Sequence, residues 1–305
     1  MRDLGSRSLL VIGGSSYAIT LPKDWVRERG VSSKTKVRLL EGPSGELIVS
    51  LYSDERSSRA RIDLKGKRVK DGAWEIVAAY LDGYDEVEVI RERMVREDID
   101  TLRSTLSKLL GMEVIEEESG RVLARCLIDY SSANPIDLLS RMKGIISGML
   151  SDLRRASLEG DEETLSLVAE RDDDVDRLYF ALVRQVRKAM RNPEIMGKLG
   201  LEPIELLDMR IAAMILELIA DSLAELTRCE HLDTFADILE RAYDLFSSAF
   251  RSFELRDFRT ALEIREAVER SVSDITSELS GKLIVPLINL LVRIGDLCDL
   301  VGPRF

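Results

Sequence analysis

From Asn134-Pro135 to the carboxyl terminus, the apolar residues of this 305-residue chain recur at helical spacing. That periodicity confines the larger part of the molecule to a helix bundle. Six helices are legible: Ile136 to Ala156, Glu162 to Met190, Pro203 to Cys229, Leu232 to Phe253, Asp257 to Leu279, and a sixth from near Lys282. The sixth is apolar nearly all round, which predicts a central place. A loop holding Asn192-Pro193 and Gly197-Lys198-Leu199-Gly200 precedes the third. Three helices and then three more read as an internal duplication, because the stripe Val168, Val175, Tyr179, Leu182, Val186 aligns with Ala261, Val268, Val272, Ile275, Leu279.

The first three-helix set carries two acidic couplets, Asp172/Asp176 and Glu217/Asp221. Residues four apart share a helix face with Cβ atoms about 6 Å apart, so each couplet sets two carboxylates side by side. Asp172 falls on the apolar stripe and Asp176 at its edge. Asp221 borders the arc of Ile211, Ile215, Leu218, Ile219, Leu223 and Leu226, with Glu217 one step further out. A carboxylate aimed into a helix seam must be protonated, paired with a cation or bound to a metal. If the two helices pack antiparallel, four carboxylates converge on one oxygen-rich spot. That chemistry suits a divalent or trivalent cation such as iron, zinc, manganese or magnesium. The plainer reading is two solvated acidic faces.

Charge is unevenly spread. The chain carries a net −11, which argues against nucleic-acid binding over its whole surface, whereas residues 1–50 are net +3. Cys126, Cys229 and Cys298 lie far apart and form no C-x-x-C, so disulfides and a thiolate zinc site are not expected and a cytoplasmic address is. The start, Met1-Arg2-Asp3-Leu4-Gly5, has no apolar leader, and the apolar run Leu283 to Val292 is too short to span a bilayer, so membrane insertion is not expected. His231, the single histidine, reads as a cap or surface residue. With no Glu-x-x-His motif, nucleophile–base pair or glycine-rich phosphate cradle, a metal-dependent phosphohydrolase or di-iron oxidase is a weaker reading than a non-enzymatic one.

Residues 1–53 read as short strands (Ser8–Ile12, Tyr17–Thr20, Val37–Leu40, Leu47–Ser50) around a helix from Lys23 to Arg29, with Pro22 in its first turn and Gly42-Pro43-Ser44-Gly45 as a hairpin turn. So small a module buries little alone and is expected to dimerise. Residues 54–131 alternate strand, helix, strand, helix and hairpin, a small α/β unit acting as spacer or dimerisation domain. Its basic cluster Lys65-Gly66-Lys67-Arg68 reads as a solvated loop rather than a site.

The run Gly13-Gly14-Ser15-Ser16-Tyr17-Ala18-Ile19-Thr20-Leu21-Pro22-Lys23-Asp24-Trp25, followed by Gly30-Val31 and a Val-rich hairpin, resembles the SpoVT/AbrB family of swapped-hairpin DNA-binding domains, which includes MazE-type antitoxins. The resemblance implies a homodimer that presents basic side chains to DNA, with Arg7, Lys23, Arg27 and Arg38 as the expected contacts. Asp172-x-x-x-Asp176-x-Leu178-Tyr179 and Glu217-x-Ile219-Ala220-Asp221 resemble the PhoU family of phosphate-uptake regulators. That likeness implies negative control of a phosphate ABC transporter and its regulon, and metal clusters on such couplets in both bundles. Asp172, Asp176, Glu217 and Asp221 form the intact set here. In the second set Arg265 stands where Asp172 does, Glu269 where Asp176 does and Val292 where Glu217 does; Asp296 alone keeps its acid. Arg265 is expected to pair with Asp296 as an internal substitute for metal.

The expected architecture is multidomain and mainly α: a swapped-hairpin β module over 1–53, a small α/β domain over 54–131 and PhoU-like tandem three-helix bundles over 132–305. The expected function is a phosphate-responsive regulator, with DNA and a phosphate ABC transporter or sensor protein as partners. An antitoxin-like or purely dimeric interaction module is the alternative.

Overall fold

The computed structural model describes residues 3–42, 45–51, 58–128, 134–229, 232–278 and 284–303. The boundaries proposed near 53 and 131, the turn residues Pro43 and Ser44, His231, Leu279 and Lys282 lie outside these residues. Two compact units are present, Met1–Arg56 and Ser57–Phe305.

In the first unit, β1 (Leu10–Ile12) pairs antiparallel with β2 (Ser16–Ala18), and β3 (Val37–Glu41) with β4 (Leu47–Leu51). Gly13 and Gly14, at φ 62 and 80, make the first turn in a left-handed conformation that costs glycine little. Helix α1 (Lys23–Glu28) begins after Pro22, which is its N-cap rather than a residue of its first turn. None of this unit's described residues is buried. Leu9, Val11, Tyr17, Leu39 and Leu47 are each more than 60% exposed (65%, 64%, 71%, 61% and 63%), so the hairpins have apolar faces with no core of their own.

The second unit opens with a four-stranded sheet of order β5-β6-β8-β7, built from β5 (Arg59–Asp63), β6 (Glu86–Ile90), β7 (Met112–Glu118) and β8 (Arg121–Cys126). β5 and β6 are parallel, joined by the crossover helix α2 (Val69–Leu81), and the remaining pairs are antiparallel. α2 and α3 (Arg96–Ser107) bury Ile62, Leu64, Ile76, Tyr80, Val87, Val89 and Leu102 on one face. The other face carries a cross-strand charge ladder. Register sets Arg59 and Arg125 opposite Glu86, and both donate to its carboxylate from 2.7 and 2.8 Å. Burial pushes the Glu86 carboxyl up, but the hydrogen bonds and charges of the two guanidiniums outweigh it and hold the pKa below the ordinary value.

The bundle comprises α4 (Pro135–Glu159), α5 (Glu162–Arg191), α6 (Pro193–Leu199), α7 (Pro203–Leu226), a 3-10 turn (Leu232–Phe235), α8 (Ala236–Leu255), α9 (Phe258–Glu278) and α10 (Ile284–Cys298). Asn134, Asp161 and Asn192 cap α4, α5 and α6 by accepting from the backbone N–H of Ile136, Thr164 and Glu194, each at 3.0 Å. The segment expected to be a loop is thus partly the short helix α6. Asn192 at the N-cap with Pro193 behind it starts a helix, and Gly200 at φ 64 ends it. The two three-helix sets share one continuous core that includes Met142, Ile146, Leu182, Leu216, Phe246, Leu290 and Ile294. α10 packs on α7, α8 and α9, the central place its all-round apolarity predicts. Among the described residues no helix is long and apolar enough to cross a membrane.

The α/β part is not a free-standing spacer. The carboxyl-terminal half of α5 grips the turn between α2 and β6. Arg184, its side chain 1% exposed, donates to the carbonyls of Tyr80 (2.7 Å) and Tyr84 (2.8 Å) and to Asp85 Oδ1 (2.8 Å). Lys188 adds a second cation to Asp85, and Arg187 and Arg191 bind Asp82. Sheet and bundle therefore form one unit.

Candidate metal centre

α5 carries Asp172 and Asp176, and α7, packed against it, carries Glu217 and Asp221. Asp172, Asp176 and Glu217 are half-buried at the helix seam, while Asp221 is exposed beside them. Asp172, Asp176 and Glu217 feel their neighbours' charge. Burial, then the charges of Asp221 and Asp176, push Asp172 up to about 7. Burial and the charges of Asp221, Asp176 and Asp172 push Glu217 to about 7 against the opposing pull of Arg210. Burial and Asp221 also raise Asp176, against Lys108. Desolvation and like charge thus act in the same direction at three adjacent carboxyls.

Two observations bear on what this spot can hold. Asp172 Oδ1 is buried with no hydrogen-bond partner. Such an orphaned acceptor is costly unless a proton or cation meets it. Among the described residues, none of the four acids forms an ion pair. The nearby cations are engaged elsewhere: Lys108 lies 3.6 Å from Asp173, and Arg210 donates to the Tyr179 hydroxyl at 2.9 Å and covers its ring. Also among the described residues, no three His, Cys, Asp or Glu side chains are gathered closely enough to hold a metal ion. The carboxylates stand as coupled neighbours and not as a closed ligand set, as their mutual repulsion dictates. Their all-oxygen chemistry and the orphaned Asp172 oxygen would suit a hard or borderline cation.

Among the described residues the second three-helix set has no equivalent, and the expected Arg265–Asp296 pair is not formed. Arg265 pairs with Asp299 and approaches Glu269 at 3.7 Å. Asp296 instead accepts from Arg293 at 2.8 Å. The reason is local. Arg293 lies three residues before Asp296 on the same helix face and takes its carboxylate, leaving Arg265 to meet an acid three residues further along. With Arg265 48% exposed and Asp299 47%, theirs is a surface pair and no internal replacement for a metal.

Of the residues expected to meet DNA, Arg7, Lys23, Arg27 and Arg38 are all exposed on the first unit. Lys23 and Arg27, four apart, share one face of α1, while Arg38 lies on β3 and Arg7 donates to its neighbour's carbonyl at Ser6. The structure brings only Lys23 and Arg27 together.

Sequence reasoning missed the Arg184 grip. Its signal was present, since Arg184, Arg187, Lys188 and Arg191 form a basic face three and four apart at the end of a helix. Such a face ordinarily reads as solvated, and nothing local pairs it with Asp82 and Asp85 a hundred residues earlier.

Comparison with known families supplies two matches. Residues 139–228 match the PhoU domain, and residues 10–57 match the domain described as antidote-toxin recognition MazE, bacterial antitoxin. The chain thus joins an amino-terminal MazE-type domain to a PhoU domain, and the PhoU match spans most of α4 and all of α5 and α7, the two helices carrying the four acids, while stopping before the second three-helix set. No curated protein and no solved structure matches the chain.

Proposed function

We propose that this protein is a phosphate-responsive regulator. It takes up a divalent or trivalent metal ion at Asp172, Asp176, Glu217 and Asp221, and contacts DNA through its first unit as a homodimer. The observation that carries the metal half is the orphaned, buried Asp172 oxygen beside Asp176 and Glu217, whose proton affinities burial and like charge raise. A bound metal would supply positive charge to neutralise these groups. The chain's own residues do the rest: α5 and α7 hold the acids in fixed helical register, and Tyr179 draws Arg210 away from them.

Support for the DNA half comes from the MazE-type match together with the bare apolar faces of the two hairpins, which a second copy would cover. Metal or phosphate status would alter transcription or transporter docking only if two arrangements of the bundle differ in affinity for those partners. The reading is regulatory, in line with the PhoU match, and involves no catalytic step.

The test is metal content by mass spectrometry of the full chain after dialysis against iron, zinc, manganese or magnesium. Retention of metal by the natural sequence, and its loss in the Asp172→Asn/Glu217→Gln double variant, are expected. A natural chain that retains none of these metals removes the sensing half of the reading.

A further inference from the structure

A cavity of about 680 Å3 opens beyond the carboxyl ends of the parallel strands β5 and β6, between residues 63–66 and residues 90–93. In open α/β sheets this end of parallel strands is where the chain turns away and leaves a crevice for ligands. The walls are firmly built. Arg91 donates to Asp98 Oδ1 and to the Lys67 carbonyl, both at 2.7 Å, and the Leu64 N–H meets the Ile90 carbonyl at 2.9 Å, so the two loops are stitched together. The second loop is also tied to the β7–β8 turn, through Arg91 N–H to the Gly120 carbonyl (2.9 Å) and Met94 N–H to the Ser119 carbonyl (2.8 Å). Gly120 is needed there, because a Cβ would stand 2.6 Å from the Arg91 carbonyl oxygen.

The cations around this cavity fall into two groups. Lys67, Arg68 and Arg91 are neutralised by Glu75, Asp71 and Asp98. Of these only Arg91 lines the cavity, together with Lys65 and Arg93, which form no ion pair among the described residues and are exposed. The same walls carry two carboxylates, Asp63 and Glu92, and Asp63 is steadied by accepting from the Lys65 backbone N–H at 2.9 Å. Unpaired cations suit a phosphate, and carboxylates a short distance away suit hydroxyl donors. The volume lies within the range of small-molecule sites, on the order of 300–1,000 Å3, and far exceeds what inorganic phosphate needs.

We propose that this cavity binds a phosphorylated, hydroxyl-bearing small molecule of nucleoside-monophosphate size. Lys65 and Arg93 meet the phosphate, and Asp63 and Glu92 meet the sugar hydroxyls. The site is separate from the carboxylate cluster and does not rest on metal being bound there.

The test is calorimetric titration of the full chain with AMP, ribose 5-phosphate, adenosine and inorganic phosphate. Expected are saturable binding of a phosphorylated sugar probe, at least tenfold weaker binding of adenosine and inorganic phosphate, and at least tenfold loss in Lys65→Glu and in Arg93→Glu. Both positions are exposed, and unchanged thermal unfolding of the free variants checks that they fold. The proposal is overturned if neither AMP nor ribose 5-phosphate binds saturably, if adenosine or inorganic phosphate binds as tightly as they do, or if the charge-reversed variants bind undiminished.

Discussion

Arg184 on α5 reaches Asp85 at 2.8 Å from a side chain that is 1% exposed, and its other terminal nitrogen donates to the backbone carbonyls of Tyr80 and Tyr84. A planar guanidinium can serve three acceptors at fixed angles while its face lies over the Tyr80 ring, 4.9 Å from the centroid. An ammonium cannot. Arg184→Met should therefore destabilise the second unit by about 3–5 kcal/mol, the usual cost of breaking a buried ionic contact by removing one partner. Arg184→Lys should recover only part of this, and Lys188→Ala should cost about 1 kcal/mol, since Lys188 is partly solvated. Urea unfolding of the three variants checks the order.

The carboxylate cluster gives a pH dependence of opposite sign to that of ordinary ion-paired acids. Asp172 and Glu217 have folded pKa values pushed up to about 7, so between the ordinary carboxylate range and 7 the folded chain binds more protons than the unfolded one. Stability in metal-free protein is then highest below that window and falls as pH climbs through it. Asp172→Asn should raise the stability of chelator-treated protein at pH 8 by about 1–2 kcal/mol, reduced from the full linkage value because the site is open to solvent. Glu86, held below its ordinary value by Arg59 and Arg125, acts the other way, and its contribution should fade only as pH falls below the ordinary carboxylate value. Denaturant midpoints from pH 3 to 9 separate the two.

Arg256 is the one residue other than glycine with a positive φ among the described residues, at 53, and it ends α8. It stays because its guanidinium binds Asp208 at 2.8 Å and the Leu300 carbonyl at 3.3 Å. Arg256→Ala loses that link and keeps the left-handed backbone, whereas Arg256→Gly loses the link and relieves the backbone. The glycine variant should be more stable than the alanine variant by about 1 kcal/mol, read as a difference in melting temperature.

The exposed apolar faces of the first unit predict self-association. Leu39→Asp should shift the full chain toward monomer in sedimentation velocity and, if DNA is bound by the dimer, weaken that binding far more than Arg38→Ala does. Loss of a single phosphate contact such as Arg38 should lower affinity modestly and reduce the salt slope by about 1.

The helical part was readable because its apolar residues repeat at a period that few other folds tolerate. The pairing of Asp172/Asp176 with Glu217/Asp221 across two helices followed from the same repeat. What local pattern could not supply was partner choice between residues far apart in sequence. Arg265 had Asp296 in its aligned position, yet an arginine three residues before Asp296 was closer and took it. The grip of Arg184 on Asp85 has no local signature, and neither does the cavity beyond β5 and β6, since Lys65-Gly66-Lys67-Arg68 looks the same whether its lysines are neutralised or left open.

Helix α5 carries the acidic couplet near its middle and the Arg184 grip in its last third. Asp176 and Arg184 are separated by about 12 Å of helix axis, at roughly 1.5 Å per residue. An α-helix resists stretching, so one girder has its load applied at one station and its bearing at another. Any shift of α5 that closes the carboxyls around a charge has to be absorbed at the Tyr80–Asp85 turn, and the sheet hung from that turn is the first part of the molecule that would register it.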